Sequence, residues 1–181
     1  MTLAFSTFLS SGANKWVACV ELNDTGAFSN LPDESDKLSF RKHGIDFYPE
    51  SNLTDLTGLL SEHYDVLVLD FGVLNQNTYP AFKRCDLCIV LGYMSPWNSK
   101  SYWNWVANIF HNINNEHKEI ILLGNLSSQG EIKQFRRRFG IHAIPVPFVE
   151  NPFQLSSNHW KFIERALERN PYTTKLLFSG R

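Results

Sequence analysis

The sequence predicts an α/β protein, built on a mostly parallel sheet with helices on both faces. Short, continuously apolar runs alternate five or six times with segments whose apolar residues recur every three or four positions. An apolar run without alternation indicates a strand buried on both faces, as in the middle of a parallel sheet. Right-handed crossovers would place the carboxyl end of every strand at one edge of the sheet.

In the first third of the chain, a helix is expected first and a buried strand second. Residues 2–11 carry apolar side chains at helical spacing, and Gly12 would end that helix. Residues 16–22 form an apolar run of strand length. A short edge strand is expected within residues 43–48, and an amphipathic helix over residues 53–62 leads to the next strand.

The strand predicted to lie at the centre of the sheet is the run YDVLVLDFG, residues 64–72. Its apolar residues lead directly into Asp70 and then Gly72. One helical turn is expected around Pro80 in the polar segment that follows. The remaining predicted elements are strands over 87–91 and 119–123, helices over 99–115, 128–139 and 157–168, and a strand over 143–149 whose prolines confine it to a sheet edge.

Length and composition indicate one domain, which we expect to cover residues 1–169 and to be followed by a tail, residues 170–181. The net charge of −1 gives no global indication of binding to nucleic acid or to an anionic membrane. Neither a signal-peptide pattern nor an apolar run near the length of a membrane span is present, so we expect a cytoplasmic protein.

The cysteines predict core packing rather than chemistry. Three cannot all pair, and Cys19 and Cys88 lie inside apolar runs, so we expect buried thiols in a reducing compartment. Cys85 and Cys88 have C-x-x-C spacing, but no second cysteine pair accompanies them. The histidines show no spacing with cysteines or carboxylates that is typical of a metal site.

Polar residues and turn residues stand at the predicted carboxyl ends of the strands. Ligand sites of open α/β sheets lie at those ends. If the strands are parallel, these residues should converge, although they come from separate parts of the sequence. They are Glu21, Asn23, Asp70, Gly72, Asn125 and Pro147.

The order of these segments resembles a family. In order and spacing, this sequence resembles the deviant P-loop ATPases of the MinD/ParA type, and the stretches that carry the resemblance are VACVELND, YDVLVLDFG, RCDLCIVLGYMSPWN, IILLGN and IPVPFVENPF. The resemblance runs from residue 2 to about residue 167 and implies a three-layer, P-loop NTPase-like fold with ATP and magnesium as cofactors. It also implies a bacterial regulatory protein with protein partners, a second copy of the chain among them.

The family's phosphate loop precedes the helix that here begins at Thr2. That loop cradles phosphate with backbone amides and a lysine, and its hydroxyl holds magnesium, so Thr2 matches the last position of such a loop. This sequence contains no G-x-x-x-x-G-K-[ST] stretch, so its Walker A motif is absent or degenerate. If the family's first strand lies outside this sequence, the sheet should have an unpaired edge beside the Asp70 strand.

The resemblance also implies roles for individual residues. Asp70 matches the Walker B acid that orders magnesium through water. Glu21 matches the acid that positions the attacking water, with Glu where Asp is more usual. Asn23 and Gly72 would lie at the nucleotide edge, and the adenine would lie near two further residues, Asn125 and Pro147.

Structural alternatives stand beside these roles. Asp70 could cap a turn, Glu21 could pair with a Lys or Arg at the sheet edge, and Asn125 could satisfy loop backbone. Arg136–Arg138 with Lys133 form a basic helix face, which predicts a solvated surface or, as in the family, contact with DNA or anionic lipid. The aromatic residues between Tyr93 and Trp105 predict core packing or an interface.

Three functions follow. The first is a MinD/ParA-like regulatory or localisation protein that acts through dimerisation and partner binding and does not hydrolyse ATP. The second is an ATPase of the same family whose phosphate loop is missing through truncation or a mis-assigned start. The third is a receiver-like or flavodoxin-like signalling domain, which the same alternation of strands and helices allows.

Overall fold

The computed structural model describes residues 1–31, 38–110 and 119–168. The chain divides into two compact units, and each is described by itself. The first consists of Met1–Phe82 with Val149–Ser156, and the second begins at Lys83 and resumes after Ser156. The single domain over residues 1–169 stays a prediction, and the expected tail lies outside the described residues. None of the described helices combines the length and hydropathy that a membrane span requires.

The first unit opens with the predicted helix. Helix α1 covers Thr2–Thr7 and continues as a π-helical segment, Phe8–Gly12. Its buried face carries Ala4, Phe5, Phe8 and Leu9, and it packs against the first and fourth strands of this unit. The apolar spacing that predicted the helix is therefore the spacing of its packed face.

Four described strands form the sheet of the first unit, in the order β2-β3-β1-β4. They are β1 (Val17–Glu21), β2 (Phe40–Lys42), β3 (Ile45–Tyr48) and β4 (Val66–Asp70). Strand β1 is buried at every residue and pairs in parallel with both β3 and β4. Helix α2 (Leu53–Leu59) begins at a capping box between Asn52 and Asp55, and α3 (Tyr79–Phe82) is the turn expected around Pro80.

Two predictions about the order of strands were wrong. Strand β3 is not an edge strand, because β2 pairs with it in an antiparallel hairpin. The turn between them is His43–Gly44, whose φ angles of 51° and 75° are those of a two-residue hairpin turn that matches the strand twist. Strand β4 is not buried on both faces. It is the outermost described strand of its sheet, and all its residues are half-buried.

The position of β4 leaves one of its edges unpaired by any described strand. This is the open edge that was expected beside the Asp70 strand. The apolar sequence of β4 is typical of a central strand, and an open apolar edge is a place where another strand can add.

Within its described residues, the second unit holds three parallel strands in the order β5-β6-β7. They are β5 (Leu87–Tyr93), β6 (Glu119–Asn125) and β7 (Ile144–Pro145). Strand β7 lies at the edge of these strands, as its prolines predicted, but the predicted extent of 143–149 was wrong, because only two of those residues pair. Gly92 on β5 is required by packing, because a Cβ there would lie 2.1 Å from the ring of Tyr102.

The helices of the second unit begin and end close to their predicted bounds. Helix α4 (Lys100–Trp105) continues as the π-helical segment Val106–Phe110, and the rest of the predicted helix lies outside the described residues. Helix α5 (Gln129–Phe139) begins at a capping box formed by Ser128 and Glu131 and ends at Gly140, whose φ is 71°. Helix α6 covers Ser157–Glu168, as predicted. The α/β fold with mostly parallel strands is therefore confirmed.

Candidate functional site

The candidate site of the first unit lies where β1 and β4 end. The two strands pair in parallel with Glu21 opposite Asp70, so the register brings the two predicted acids together at one end of the sheet. The loop after β1 and the turn after β4 then supply Asn23 and Gly72. Sequence reasoning placed these four residues at one edge, and within this unit the structure does so too.

Glu21 is fully buried and holds the loop that follows β1. Its Oε1 accepts hydrogen bonds from the amide of Ala27 at 2.7 Å and from Thr25 Oγ1 at 3.0 Å, and its Oε2 accepts one from the amide of Phe28 at 3.3 Å. The two backbone amides, together with the Thr25 hydroxyl whose single hydrogen is shared with Asn23 Oδ1 at 2.5 Å, compensate for the desolvation of the carboxylate. The alternative prediction, that Glu21 pairs with a Lys or Arg, was wrong for the described residues, because its partners are backbone amides and a hydroxyl. Its catalytic role stays a prediction.

Asp70 is bound by donors from two segments. Its Oδ1 accepts hydrogen bonds from the amide of Gly72 at 2.9 Å and from Asn23 Nδ2 at 3.2 Å. Asn23 Nδ2 lies 3.1 Å from the carbonyl oxygen of Asp70 as well, so this amide joins the β1 loop to the end of β4. The bond to Gly72 is the turn cap that was the alternative to a metal-binding role.

Gly72 allows this close approach. Its φ of 55° lies in the left-handed region, and a Cβ there would lie 2.9 Å from Asn23 Cβ. Glycine at this position therefore satisfies both the backbone conformation of the turn and the contact with the β1 loop.

The residues present at this site do not by themselves make up a nucleotide or metal site. Asp70 Oδ2 forms no hydrogen bond with a described residue and is the one oxygen of that side chain left for a ligand. Among the described residues, no three His, Cys, Asp or Glu side chains are grouped so that they could hold a metal ion. The sequence offers no phosphate loop either. Magnesium at Asp70 stays a prediction that depends on oxygen ligands from a bound nucleotide.

Thr2 lies at the start of α1, close to this site. Burial lowers the pKa of the Met1 amino group, and the negative charge of Asp70 acts in the opposite direction, so the start of α1 lies within electrostatic reach of the carboxylate. Thr2 is half-buried, and its carbonyl oxygen accepts a hydrogen bond from Ser6 Oγ at 3.0 Å. Its magnesium-binding role stays a prediction.

Asn125 and Pro147 belong to the second unit. Asn125 is the last residue of β6, and its carbonyl oxygen accepts a hydrogen bond from Ser127 Oγ at 3.0 Å. Pro147 follows β7, which pairs with β6 in parallel, so both residues lie toward the same end of these strands. Their convergence with the residues of the first unit on one nucleotide stays a prediction.

None of the three cysteines forms a disulfide with another described residue, and two of the three are buried. Burial raises the pKa of the Cys19 thiol to about 12, and the hydrogen bond from Ser6 acts in the opposite direction. Cys88 is likewise buried within β5. Core packing, predicted for both residues, is confirmed.

Sequence reasoning missed the residues that hold the site together. The Glu21 carboxylate is fixed by Thr25 and by the amides of Ala27 and Phe28. Only Thr25 lies in a stretch with a recognisable pattern, the polar turn Asn23–Gly26. Three large apolar side chains are exposed where the strands of the second unit end, and of these the sequence singled out only Tyr93, as part of an aromatic series. The three residues are Tyr93, Leu126 and Phe148.

No family model matches the chain, and no curated protein matches its sequence. Solved structures do match its fold. A plasmid partition protein from Borrelia burgdorferi has a TM-score of 0.62 at 14% identity, over 93% of this chain and 90% of that one. A putative plasmid partition protein from the same organism, bound to AMPPNP, has a TM-score of 0.61 at 14% identity, over 92% and 90%.

Two further structures extend the comparison. A ParA family ATPase from Chlorobium tepidum has a TM-score of 0.54 at 15% identity, over 97% of this chain and 88% of that one. The MinD cell division protein of Aquifex aeolicus has a TM-score of 0.52 at 11% identity, over 97% and 87%. The chain therefore has the fold of ParA and MinD proteins, and the predicted resemblance is confirmed at the level of fold.

Proposed function

We propose that this chain, which has the ParA/MinD-type fold, is a regulatory or localisation protein that acts by associating with itself and with partner proteins, without hydrolysing ATP. The similar structures are named for plasmid partition and cell division, and those names support a localisation role. This chain's own residues support the proposal in two ways. Apolar side chains are exposed at the ends of the parallel strands, and the carboxylates of Glu21 and Asp70 accept hydrogen bonds from within the chain.

The observation that carries the proposal is a set of exposed apolar side chains, here named the strand-exit surface. Tyr93 ends β5, Leu126 follows β6 and Phe148 follows β7, with 40%, 67% and 75% of their surfaces exposed. Because β5, β6 and β7 are parallel, these residues leave the sheet at the same end. Large apolar side chains exposed together are typical of protein–protein interfaces.

The backbone of Leu126 adds to this support. Its φ of 47° lies in the left-handed region, which a leucine seldom adopts. Holding a non-glycine residue there costs about 1–3 kcal/mol, and such outliers cluster at binding sites. A leucine that is both strained and exposed contributes little to the stability of the isolated chain, which favours a role in contacts with another molecule.

The hydrogen bonds of Glu21 and Asp70 support the proposed absence of ATP hydrolysis. Both oxygens of Glu21 accept hydrogen bonds from the loop after β1, and Glu21 has no solvent-exposed surface on which a water could be positioned. Asp70 Oδ1 is likewise engaged within the chain. A residue that activates water must reach that water, directly or through one other water.

Light scattering coupled to size-exclusion chromatography tests the proposal. We expect a concentration-dependent dimer for the unaltered chain and a monomer for the double variant Leu126→Asp, Phe148→Asp. The matched control is Leu60→Asp, which changes a leucine of similar exposure, 69%, outside the strand-exit surface. A dimer that survives the double variant, or a chain that is monomeric at every concentration, would refute self-association through this surface.

A second candidate function is an ATPase whose phosphate loop comes from a segment outside this sequence. Two observations favour it: Asp70 Oδ2 forms no hydrogen bond with a described residue, and one edge of β4 is unpaired by any described strand. Its test is to read the genomic sequence ahead of Met1 for an in-frame strand and Gly-Lys-Ser/Thr loop. The extended chain would then hydrolyse MgATP, and Asp70→Asn would abolish that hydrolysis.

A further inference from the structure

A small cavity of about 280 Å³ opens on the second unit, between the start of α4 and the end of α5. Pro96, Ser99, Lys100 and Trp103 contribute to one wall, and Arg138 and Phe139 contribute to the other. None of these residues belongs to the candidate site at β1 and β4 or to the strand-exit surface. The cavity combines two cationic side chains with two aromatic rings.

Arg138 is held in place by those rings. Its guanidinium carbon lies 4.7 Å from the centre of the Trp103 ring and 5.6 Å from that of Phe139. Stacking on an aromatic face leaves the N–H edge of a guanidinium free, and it reduces the conformational entropy that binding would cost. The guanidinium of Arg138 is therefore positioned to donate two hydrogen bonds to the two oxygens of a carboxylate.

Neither cation at the cavity is neutralised within the described part of the chain. Lys100 and Arg138 form no ion pair and no hydrogen bond with a described residue. Both are exposed and sit within reach of the same cavity. Two unpaired cations beside apolar walls favour an anionic group that carries an apolar neighbour, because the charge and the apolar surface are then both matched.

We propose that this cavity binds an acidic peptide segment of a partner protein, with an Asp or Glu carboxylate on Arg138 and Lys100 and an adjacent aliphatic or aromatic side chain against Trp103 and Phe139. The volume lies at or below the low end of the roughly 300–1,000 Å³ typical of small-molecule sites, so it suits one or two side chains. The net charge of −1 gives no long-range attraction for a nucleic acid.

This inference deepens the proposed function and rests on it in one respect, namely that the protein acts by binding partners. It supplies the chemistry of one such partner. Trp97, which is 86% exposed and adjoins Pro96, extends the aromatic surface beyond the cavity and would contact residues that flank the acid.

The test begins with random heptapeptides displayed on phage and selected on the immobilised chain. We expect the enriched sequences to share an Asp or Glu next to a Leu, Ile or Phe. A fluorescein-labelled synthetic copy is then titrated by fluorescence polarisation. Replacing its acid by the corresponding amide should raise Kd at least tenfold, which corresponds to about 1.4 kcal/mol.

The protein variants locate the binding. Arg138→Gln should raise Kd at least tenfold and Lys100→Gln about threefold, whereas Arg137→Gln, on the same exposed turn but outside the cavity, should change it less than twofold. Circular dichroism confirms that each variant is folded. Light scattering on Arg138→Gln separates the two proposals, because dimerisation through the strand-exit surface should be unaffected by this change.

Three results would overturn the inference. The first is a selection that enriches nothing, or that enriches peptides without an acid. The second is an equal loss of affinity in Arg137→Gln and Arg138→Gln, which would indicate a general basic face. The third is a 20-base-pair DNA duplex that displaces the peptide and binds more tightly than it, which would assign the surface to nucleic acid.

Discussion

Replacing Glu21 with glutamine separates a loop-holding role from a catalytic one. The variant keeps the shape of the side chain but offers only one acceptor oxygen to the three donors that now share two. If the oxygen stays with Ala27 and Thr25, the new NH2 group faces the amide of Phe28, and two donors meet without an acceptor. A hydrogen bond to a charged group contributes about 1.5–3 kcal/mol, and a buried donor left unpaired costs about 1–3 kcal/mol.

We therefore expect Glu21→Gln to lower the free energy of unfolding by about 2–3 kcal/mol. For a chain of this length each kcal/mol shifts Tm by about 2–4 °C, so the melting temperature should fall by roughly 4–12 °C. Thermal and urea unfolding followed by circular dichroism measure both quantities. Hydrogen exchange provides a local measure, since the amides of Ala27 and Phe28 should lose protection.

The control is Glu50→Gln, which changes an exposed carboxylate that accepts one hydrogen bond from Ser29 Oγ at 3.0 Å. Surface substitutions of this kind usually change stability by less than about 0.5 kcal/mol. If Glu21→Gln were as mild as Glu50→Gln, the loop-holding role would be refuted and the catalytic role of Glu21 would gain support.

The remaining predictions concern packing and titration. Because burial raises the pKa of Cys19 to about 12, its thiol should resist a thiol reagent in the folded chain at pH 8 and react after unfolding in urea. The unfolded chain, with a Cys19 pKa of 9.0, loses the thiol proton at a lower pH than the folded chain does. The free energy of unfolding should therefore be unaffected by this group below pH 9.0 and should fall by about 1.4 kcal/mol at pH 10. The variant Cys19→Ala should not show this fall. Gly92→Ala should destabilise by about 1–3 kcal/mol in urea unfolding, because its Cβ would overlap the Tyr102 ring. Gly58→Ala, where a Cβ meets nothing within 4 Å on an exposed helix, should instead stabilise by about 0.5–1 kcal/mol, and a loss of stability there would contradict the packing assigned to both glycines.

The parts of the fold that depend on local signals could be predicted from the sequence. Helix α5 begins at Ser128, whose capping box with Glu131 lies within four residues, and ends at Gly140, which adopts the left-handed conformation that favours glycine. The prolines in and directly after β7 limit it to a short edge strand, because proline has no backbone N–H to donate. Such signals act within one turn or one strand, so no knowledge of distant residues is needed.

The order of strands could not be predicted, because pairing is decided between distant residues. The apolar run of β4 predicted a central strand, yet its place at the edge depends on which other strand lies beside it. The only sequence pattern that indicates the β2–β3 hairpin is the dipeptide His43–Gly44. That both residues adopt the left-handed conformation is seen only from their φ angles in the structure.

The candidate site shows the same division. The Asp70–Gly72 turn is a local pattern, and the sequence predicted it as an alternative. The partners of Glu21 are mostly backbone amides, which every residue but proline carries, so no side-chain pattern reveals them. The exposure of Leu126 and Phe148 depends on where the strands of the second unit end, and a sequence pattern that only distinguishes apolar from polar assigns both residues to the core.

Sedimentation velocity with and without MgATP tests the central proposal most directly, because it measures association and its dependence on nucleotide in one experiment. We expect the chain to form a dimer whose dissociation constant is the same within twofold whether or not millimolar MgATP is present, and ATP to remain uncleaved in the recovered sample. A chain that is monomeric alone and dimerises only with MgATP would contradict the proposal and favour the ATPase.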